Sequence, residues 1–197
     1  MGQSSHNINL IQEALTLQLR ALTLTKEASF IYNEIAINYS LLKNPEEAKR
    51  NFVFAIDYAP SWSIPFSNFA QQFLEEDIPK ALRIARHATR LSPKNSYAYN
   101  ILGIVYFQSK DFERAENSFL KAIQLDASYP DAFYNLACVK SVQGDFTSGF
   151  NYLESAIQYG FSDWEFALLD PDLTLLRQQI KWNELMKKYF PDQFKDK

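Results

Sequence analysis

Two stretches decide how this chain is read: Lys110–Ile123, KDFERAENSFLKAI, and Gly144–Ile157, GDFTSGFNYLESAI. They stand 34 residues apart, and Asp, Phe, Ala and Ile recur in step between them. The echo extends in both directions. One column of small residues holds Ala14, Ala48, Ala81, Ala115 and Gly149. A second holds Ala21, Ala55, Ala88, Ala122 and Ala156, again at steps of 33 or 34. A third holds Asn44, Asp77, Asp111 and Asp145, whose side chains suit helix N-caps because they accept hydrogen bonds from first-turn N–H groups. Pro60 and Pro93, 33 apart, end helices.

The bulk numbers agree with a helical array. The chain has 197 residues, 47% hydrophobic and 22% charged, so it can bury a core. Five Gly and eight Pro leave few tight turns for a many-stranded β fold. A formal charge of −3 gives no general pull toward nucleic acid. No apolar run reaches the roughly 18–20 residues of a membrane span, and no secretory signal is read at the N-terminus. One cysteine, Cys138, excludes an internal disulfide and fits a reducing compartment, so a cytoplasmic setting is expected.

Periodic small residues mark close helix crossings, and large ones fill the space between. A lone helical hairpin cannot bury both faces, so hairpins must stack. Tyr99, Leu102, Gly103, Tyr106, Ala115, Phe119 and Ala122 together resemble the tetratricopeptide repeat. The resemblance implies an all-α, right-handed α-solenoid. The expected division is 1–28, a leader and N-terminal capping helix; 29–61, 62–95, 96–129 and 130–163, four repeats; and 164–197, a helical cap with a frayed end at Lys195-Asp196-Lys197. The second repeat departs from the pattern in its first helix, where Pro65 belongs in a first turn. Gly160-Phe161, Asp170-Pro171-Asp172-Leu173, Leu176-Arg177, Trp182 and Leu185 resemble a segment that often closes such arrays in bacterial proteins.

No catalytic constellation emerges. The two histidines, His6 and His87, are not brought near Cys138 by the repeat, and no phosphate-cradling glycine loop occurs. Four zinc ligands cannot be assembled, so no metal and no cofactor are expected. Carboxylates gather at helix starts, where the helix dipole favours them. One run stands apart: KALRIARHATRLSPK, residues 80–94, contains no acid and sets Lys80, Arg83, Arg86, Arg90 and Lys94 along one helical face. Read plainly, this is a solvated outer face; read functionally, it is a stripe for an acidic partner or phosphate groups.

The resemblance also implies a binding surface. First helices of such repeats line the concave side, where partner peptides lie. Carried over residue by residue, that groove presents Asn33 and Ile37, then Phe66 and Phe73, then Tyr97, Asn100, Ile104 and Phe107, then Tyr134 and Cys138. These side chains are mostly aromatic or apolar, and each either meets a ligand or packs between helices. The Lys and Asn set with which some members grip a C-terminal carboxylate is missing: Asn33, Ile37, Tyr97 and Ile101 stand in key places. The expectation is a non-enzymatic adaptor for a protein or peptide segment. The alternative is a structural subunit of a larger assembly, or a self-associating array, using the basic stripe or the end caps. No general nucleic-acid binding and no membrane insertion are expected, and the oligomeric state is left open.

Overall fold

The computed structural model describes residues 2–25 and 28–194, with side chains placed from Asn7 onward. Among the described residues there are twelve α-helices, one short 3-10 helix and no strand. Contacts divide the chain into two compact units, the first ending at Pro93 and the second beginning at Lys94. The first holds α1 (Gly2–Ala21), α2 (Ala28–Leu41), α3 (Pro45–Tyr58), α4 (Ser63–Gln71) and α5 (Ile78–Leu91). There α2 pairs with α3 and α4 with α5, while α1 lies on α2 and α3 on α4. The second holds α6 (Ser96–Gln108), α7 (Phe112–Leu125), α8 (Pro130–Gln143) and α9 (Phe146–Gln158). It ends in α10 (Trp164–Leu169), a 3-10 helix (Pro171–Leu173), α11 (Thr174–Arg177) and α12 (Ile180–Tyr189). Here α6 pairs with α7 and α8 with α9, and α7 lies on α8. This is the all-α architecture of stacked helical hairpins that the repeat implied.

Local chemistry fixes where the second helices begin. Asn44, Asp77, Asp111 and Asp145 each accept the backbone N–H three residues on, at 3.4, 2.9, 3.2 and 3.2 Å. These bonds satisfy donors that no intrahelical carbonyl can reach. Three hairpin turns share one closing device. Lys43, Lys110 and Gly144 hold φ of 56°, 62° and 79° just before the cap. The cap N–H then reaches back to close the first helix: Asn44 to Tyr39 O, Asp111 to Tyr106 O and Asp145 to Lys140 O, at 2.9, 3.0 and 2.9 Å.

The small-residue columns sit at buried crossings. Ala48, Ala55, Ala81 and Ala88 in the first unit, and Ala115, Ala122 and Ala156 in the second, are wholly buried. Large side chains fill the intervals. Phe52 packs with Ala36 and Ala48 in the first unit. In the second, Leu153 and Phe150 join Leu173, Leu176, Trp182 and Met186, so the C-terminal helices share a core with α8 and α9. Burial of each such side chain is worth about 1.5–3 kcal/mol relative to exposure.

Two local features differ from the sequence reading. Helix α1 starts at Gly2 rather than near Asn9, because neither Gly nor Pro interrupts residues 3–21. Asn38 of α2 anchors it by donating to Gln18 Oε1 at 2.9 Å. Helix α4 has nine residues, with Pro65 in its first turn as expected, but it stops at Gln71. The frayed end expected at Lys195-Asp196-Lys197 lies outside the described residues.

Candidate functional site

In the second unit, helical spacing sets Asn100, Ile104 and Phe107 along one side of α6, and Asp131, Tyr134, Asn135 and Cys138 along one side of α8. The chain beyond α9 then turns back. Gly160 takes φ 109°, a region that side chains with a Cβ rarely enter. Phe161 N–H bonds Ala156 O at 2.9 Å, which closes α9 and delivers the Phe161 ring onto Tyr134. The two rings stack with centroids 4.4 Å apart, and Phe166 tilts against Tyr134 at 5.8 Å. Together these groups line a cavity of about 370 Å³, with Phe119 of α7 at its base.

Its polar floor is organised by Asp170. Tyr134 donates its hydroxyl to Asp170 Oδ2 at 2.6 Å, and the Cys138 thiol donates to the same oxygen at 3.8 Å. Asp170 Oδ1 accepts the Asp172 N–H at 2.9 Å. Arg177 holds the loop from below, donating to Ala167 O at 3.0 Å and also to Asp170 O. Burial, then the neighbouring Asp170 and Asp172 carboxylates, pushes the Cys138 thiol up, so it stays protonated. Burial likewise pushes the Tyr134 phenol up, with Cys138 and Asp170 adding to it. Asp172 is raised by burial first and by Asp170 second. The cavity therefore joins aromatic walls to an acidic rim, Asp131 and Asp172, and contains no histidine. Among the described residues no three His, Cys, Asp or Glu side chains gather as a metal ion would require. No described helix is long and apolar enough to cross a membrane.

The structure brings together Asn100, Ile104, Phe107, Tyr134 and Cys138, five of the groove residues named from the sequence. Tyr97, also on α6, is half-buried and does not line this cavity. In the first unit the expected groove set disperses. Asn33 is buried; it donates to Glu34 Oε1 at 3.2 Å and accepts Asn68 Nδ2 at 3.0 Å. Ile37 packs half-buried against the Phe52 cluster. Phe73 is not a groove side chain. Because α4 ends at Gln71, Phe73 falls in the following turn, is 95% buried, and lies 3.9 Å beneath Lys80 Nζ. Phe66 faces α5, where its ring meets His87 edge-on at 4.8 Å.

That last contact belongs to a second concavity, about 460 Å³, between α4 and α5. Phe66, Phe69 and Ile84 form its apolar surface, and Lys80, Arg83, His87 and Arg90 its polar one. Of the basic stripe, then, Lys80, Arg83 and Arg90 line it; Arg86 does not, and exposed Lys94 lies past the end of α5. The sequence reading missed Asn135, Phe161, Phe166, Asp170 and Asp172 as cavity groups. It placed the last two in the array-closing segment and described the groove side chains as mostly aromatic or apolar. The acidic rim adds charge to that groove: Asp131 comes from α8 itself, and Asp172 arrives because the C-terminal segment folds back over α8.

The fold is similar to that of tetratricopeptide repeat proteins. The TPR repeat family model matches residues 103–144, from the middle of α6 to the turn after α8. A thermophilic TPR protein of Thermus thermophilus shares the fold with a TM-score of 0.73 at 19% identity, over 85% of this chain and 92% of that one. Among curated proteins, the chain is 28% identical over 163 residues to the human Protein O-mannosyl-transferase TMTC3, covering 80% of this chain and 18% of that protein. It is 31% identical over 83 residues to Anaphase-promoting complex subunit 3 of Schizosaccharomyces pombe, 42% of this chain and 12% of that protein. The chain thus spans less than a fifth of the length of either curated relative.

Proposed function

We propose that this chain is a non-enzymatic interaction adaptor that seats a segment of a partner protein in the aromatic cavity of its second unit. The reading rests on one observation: Ile104, Phe107, Tyr134, Phe161 and Phe166 converge on a single opening from two helices and the C-terminal segment. Rigid aromatics offer large contact area at small entropic cost. The acidic rim favours a segment whose entering side chain is uncharged or cationic. A protonated, buried thiol with no imidazole lining the same cavity supports a binding role over a catalytic one. The matched part of the human transferase is 18% of that protein, so its activity is not carried across. We read 164–194 as a cover that closes the array, and a cytoplasmic setting for the whole.

The test is capture of partners by the tagged full chain beside Ile104→Trp, which fills the cavity from a half-buried position. Partners that wild type retains and the filled variant loses support the reading. An identical partner set from both, with unchanged helical circular dichroism, contradicts it.

A second reading is a fixed subunit of a larger assembly. It draws on the likeness to the fission yeast complex subunit and on Leu24, Leu169 and Ile180, which stand 81%, 82% and 83% exposed. Apolar side chains that open to solvent suit a covered face. Sedimentation at rising concentration separates self-association from a monomeric adaptor.

A further inference from the structure

The cleft between α4 and α5 has a chemistry opposite to that of the second-unit cavity. Its apolar surface is held rigidly. The Phe69 ring packs edge-on against Phe73 at 5.1 Å and tilts against Phe52 at 6.1 Å, so the core beneath fixes it. Above that surface, Arg83 and Arg90 stand two turns apart on α5, both exposed. Neither has a carboxylate partner among the described residues. On other helices several cations are paired: Lys49 with Glu46 and Glu76, Arg114 with Asp111, Lys140 with Glu116, Lys188 with Glu154. No Asp or Glu lies within α5 or lines the cleft.

We propose that this cleft binds an acidic peptide segment, seating one aromatic side chain on Phe66 and Phe69 while flanking carboxylates meet Arg83 and Arg90. Charge complementarity selects the occupant. Arginine presents a planar fork of donors that matches a carboxylate with two bonds, and two unpaired forks over an apolar floor specify acid, aromatic, acid in that order. A volume of about 460 Å³ has room for one large side chain with its neighbours, on the scale of small-ligand sites. A nucleic acid requires a longer basic track than three cations on a chain of net charge −3. A lipid surface requires projecting apolar side chains, whereas Phe66, Phe69 and Ile84 are half-buried. The proposal is independent of the second-unit cavity.

The experiment measures fluorescence anisotropy of labelled peptides with the full chain at low and near-physiological salt. The probe is a Glu/Asp-rich peptide with one central Trp; its controls carry Ala at the centre, or Lys in place of every acid. The expected result is binding of the Trp probe that weakens with salt and falls at least about tenfold in Arg83→Glu/Arg90→Glu. Arg83→Lys/Arg90→Lys should recover part of it, since charge remains while the fork is lost. Helical circular dichroism of both variants should match wild type, because both arginines are exposed. Equal binding of the Ala-centred peptide overturns the aromatic seat. Unchanged binding in the Glu variant, or loss in Ile104→Trp instead, overturns the site. No binding of the Trp probe, or Arg-dependent binding of anionic phosphatidylserine vesicles with none of the peptide, overturns the occupant.

Discussion

Asn135 donates its side-chain amide to Asn100 Oδ1 at 2.9 Å, and Asn68 does the same to Asn33 Oδ1 at 3.0 Å. Both bonds span 35 residues and join the first helices of consecutive hairpins, one in each unit. The acceptor asparagines Asn33 and Asn100 are 2% and 3% exposed, so water does not substitute easily for the lost bond. The side-chain oxygens of Asn33 and Asn100, two residues of the expected groove, are thus engaged by the next hairpin.

Removing either acceptor should therefore register first as stability. Asn33→Ala leaves the buried Asn68 amide without this acceptor and should cost about 1–3 kcal/mol in urea unfolding. The double variant Asn33→Ala/Asn68→Ala should cost less than the sum of the two singles, giving a coupling of about 0.5–3 kcal/mol in the cycle. Strict additivity would mean the pair contributes nothing jointly.

Gly103 stands where only hydrogen fits. A Cβ placed there meets the Phe119 ring at 2.5, 2.6 and 2.9 Å, and Phe119 is fully buried. Gly103→Ala should destabilise the chain by about 1–3 kcal/mol, despite alanine's better helix propensity. Phe119→Leu in the same chain should offset part of that loss. A neutral or stabilising Gly103→Ala would show that α6 and α7 can separate without cost.

Lys43 and Lys110 adopt left-handed backbone geometry that Gly144 takes freely at the same place in its turn. For a residue with a Cβ that conformation costs roughly 1–2 kcal/mol, and glycine's extra freedom in the unfolded chain offsets part of the relief. Lys110→Gly should accordingly raise stability by about 0.5–1 kcal/mol, read as a higher denaturant midpoint with an unchanged slope. A lower midpoint would contradict the turn geometry.

Asp172 gives a pH dependence of definite sign. Burial and the adjacent Asp170 raise its carboxyl pKa above the ordinary 3.8. The folded chain then holds the proton more tightly than the unfolded one, and stability falls as pH rises through the raised value. Asp172→Asn removes that loss. The variant should show a higher midpoint than wild type near neutral pH, with the gap closing in acid below the ordinary carboxylate value. A gap that widens in acid would reverse the assignment.

Local chemistry made much of the fold legible. The cap residues Asn44, Asp77, Asp111 and Asp145 act through bonds to N–H groups three residues away, so their roles follow from spacing alone. The alanine columns are equally readable, because only small side chains let helices cross closely. The lining of the second-unit cavity was legible where a regular helix carries it: Asn100, Ile104 and Phe107 on α6, Tyr134 and Cys138 on α8. It was hidden where distant segments meet. Asp170 enters the cavity only because Gly160 and the 3-10 turn fold the chain back onto α8. Phe73 was misread because spacing assumed a full-length α4, and the early end at Gln71 turns that ring inward. The Asn33–Asn68 bond depends on helix register that a single sequence does not display.

The central claim is that the second-unit cavity receives a partner segment. The most direct measurement starts from peptides selected by display on the full chain, then reads their affinity for wild type, Ile104→Trp and Phe107→Ala by anisotropy. The account predicts that selected peptides bind wild type, lose at least about tenfold with Ile104→Trp, and lose less with Phe107→Ala, which removes one wall and leaves the cavity open. Equal affinity for all three proteins would contradict it.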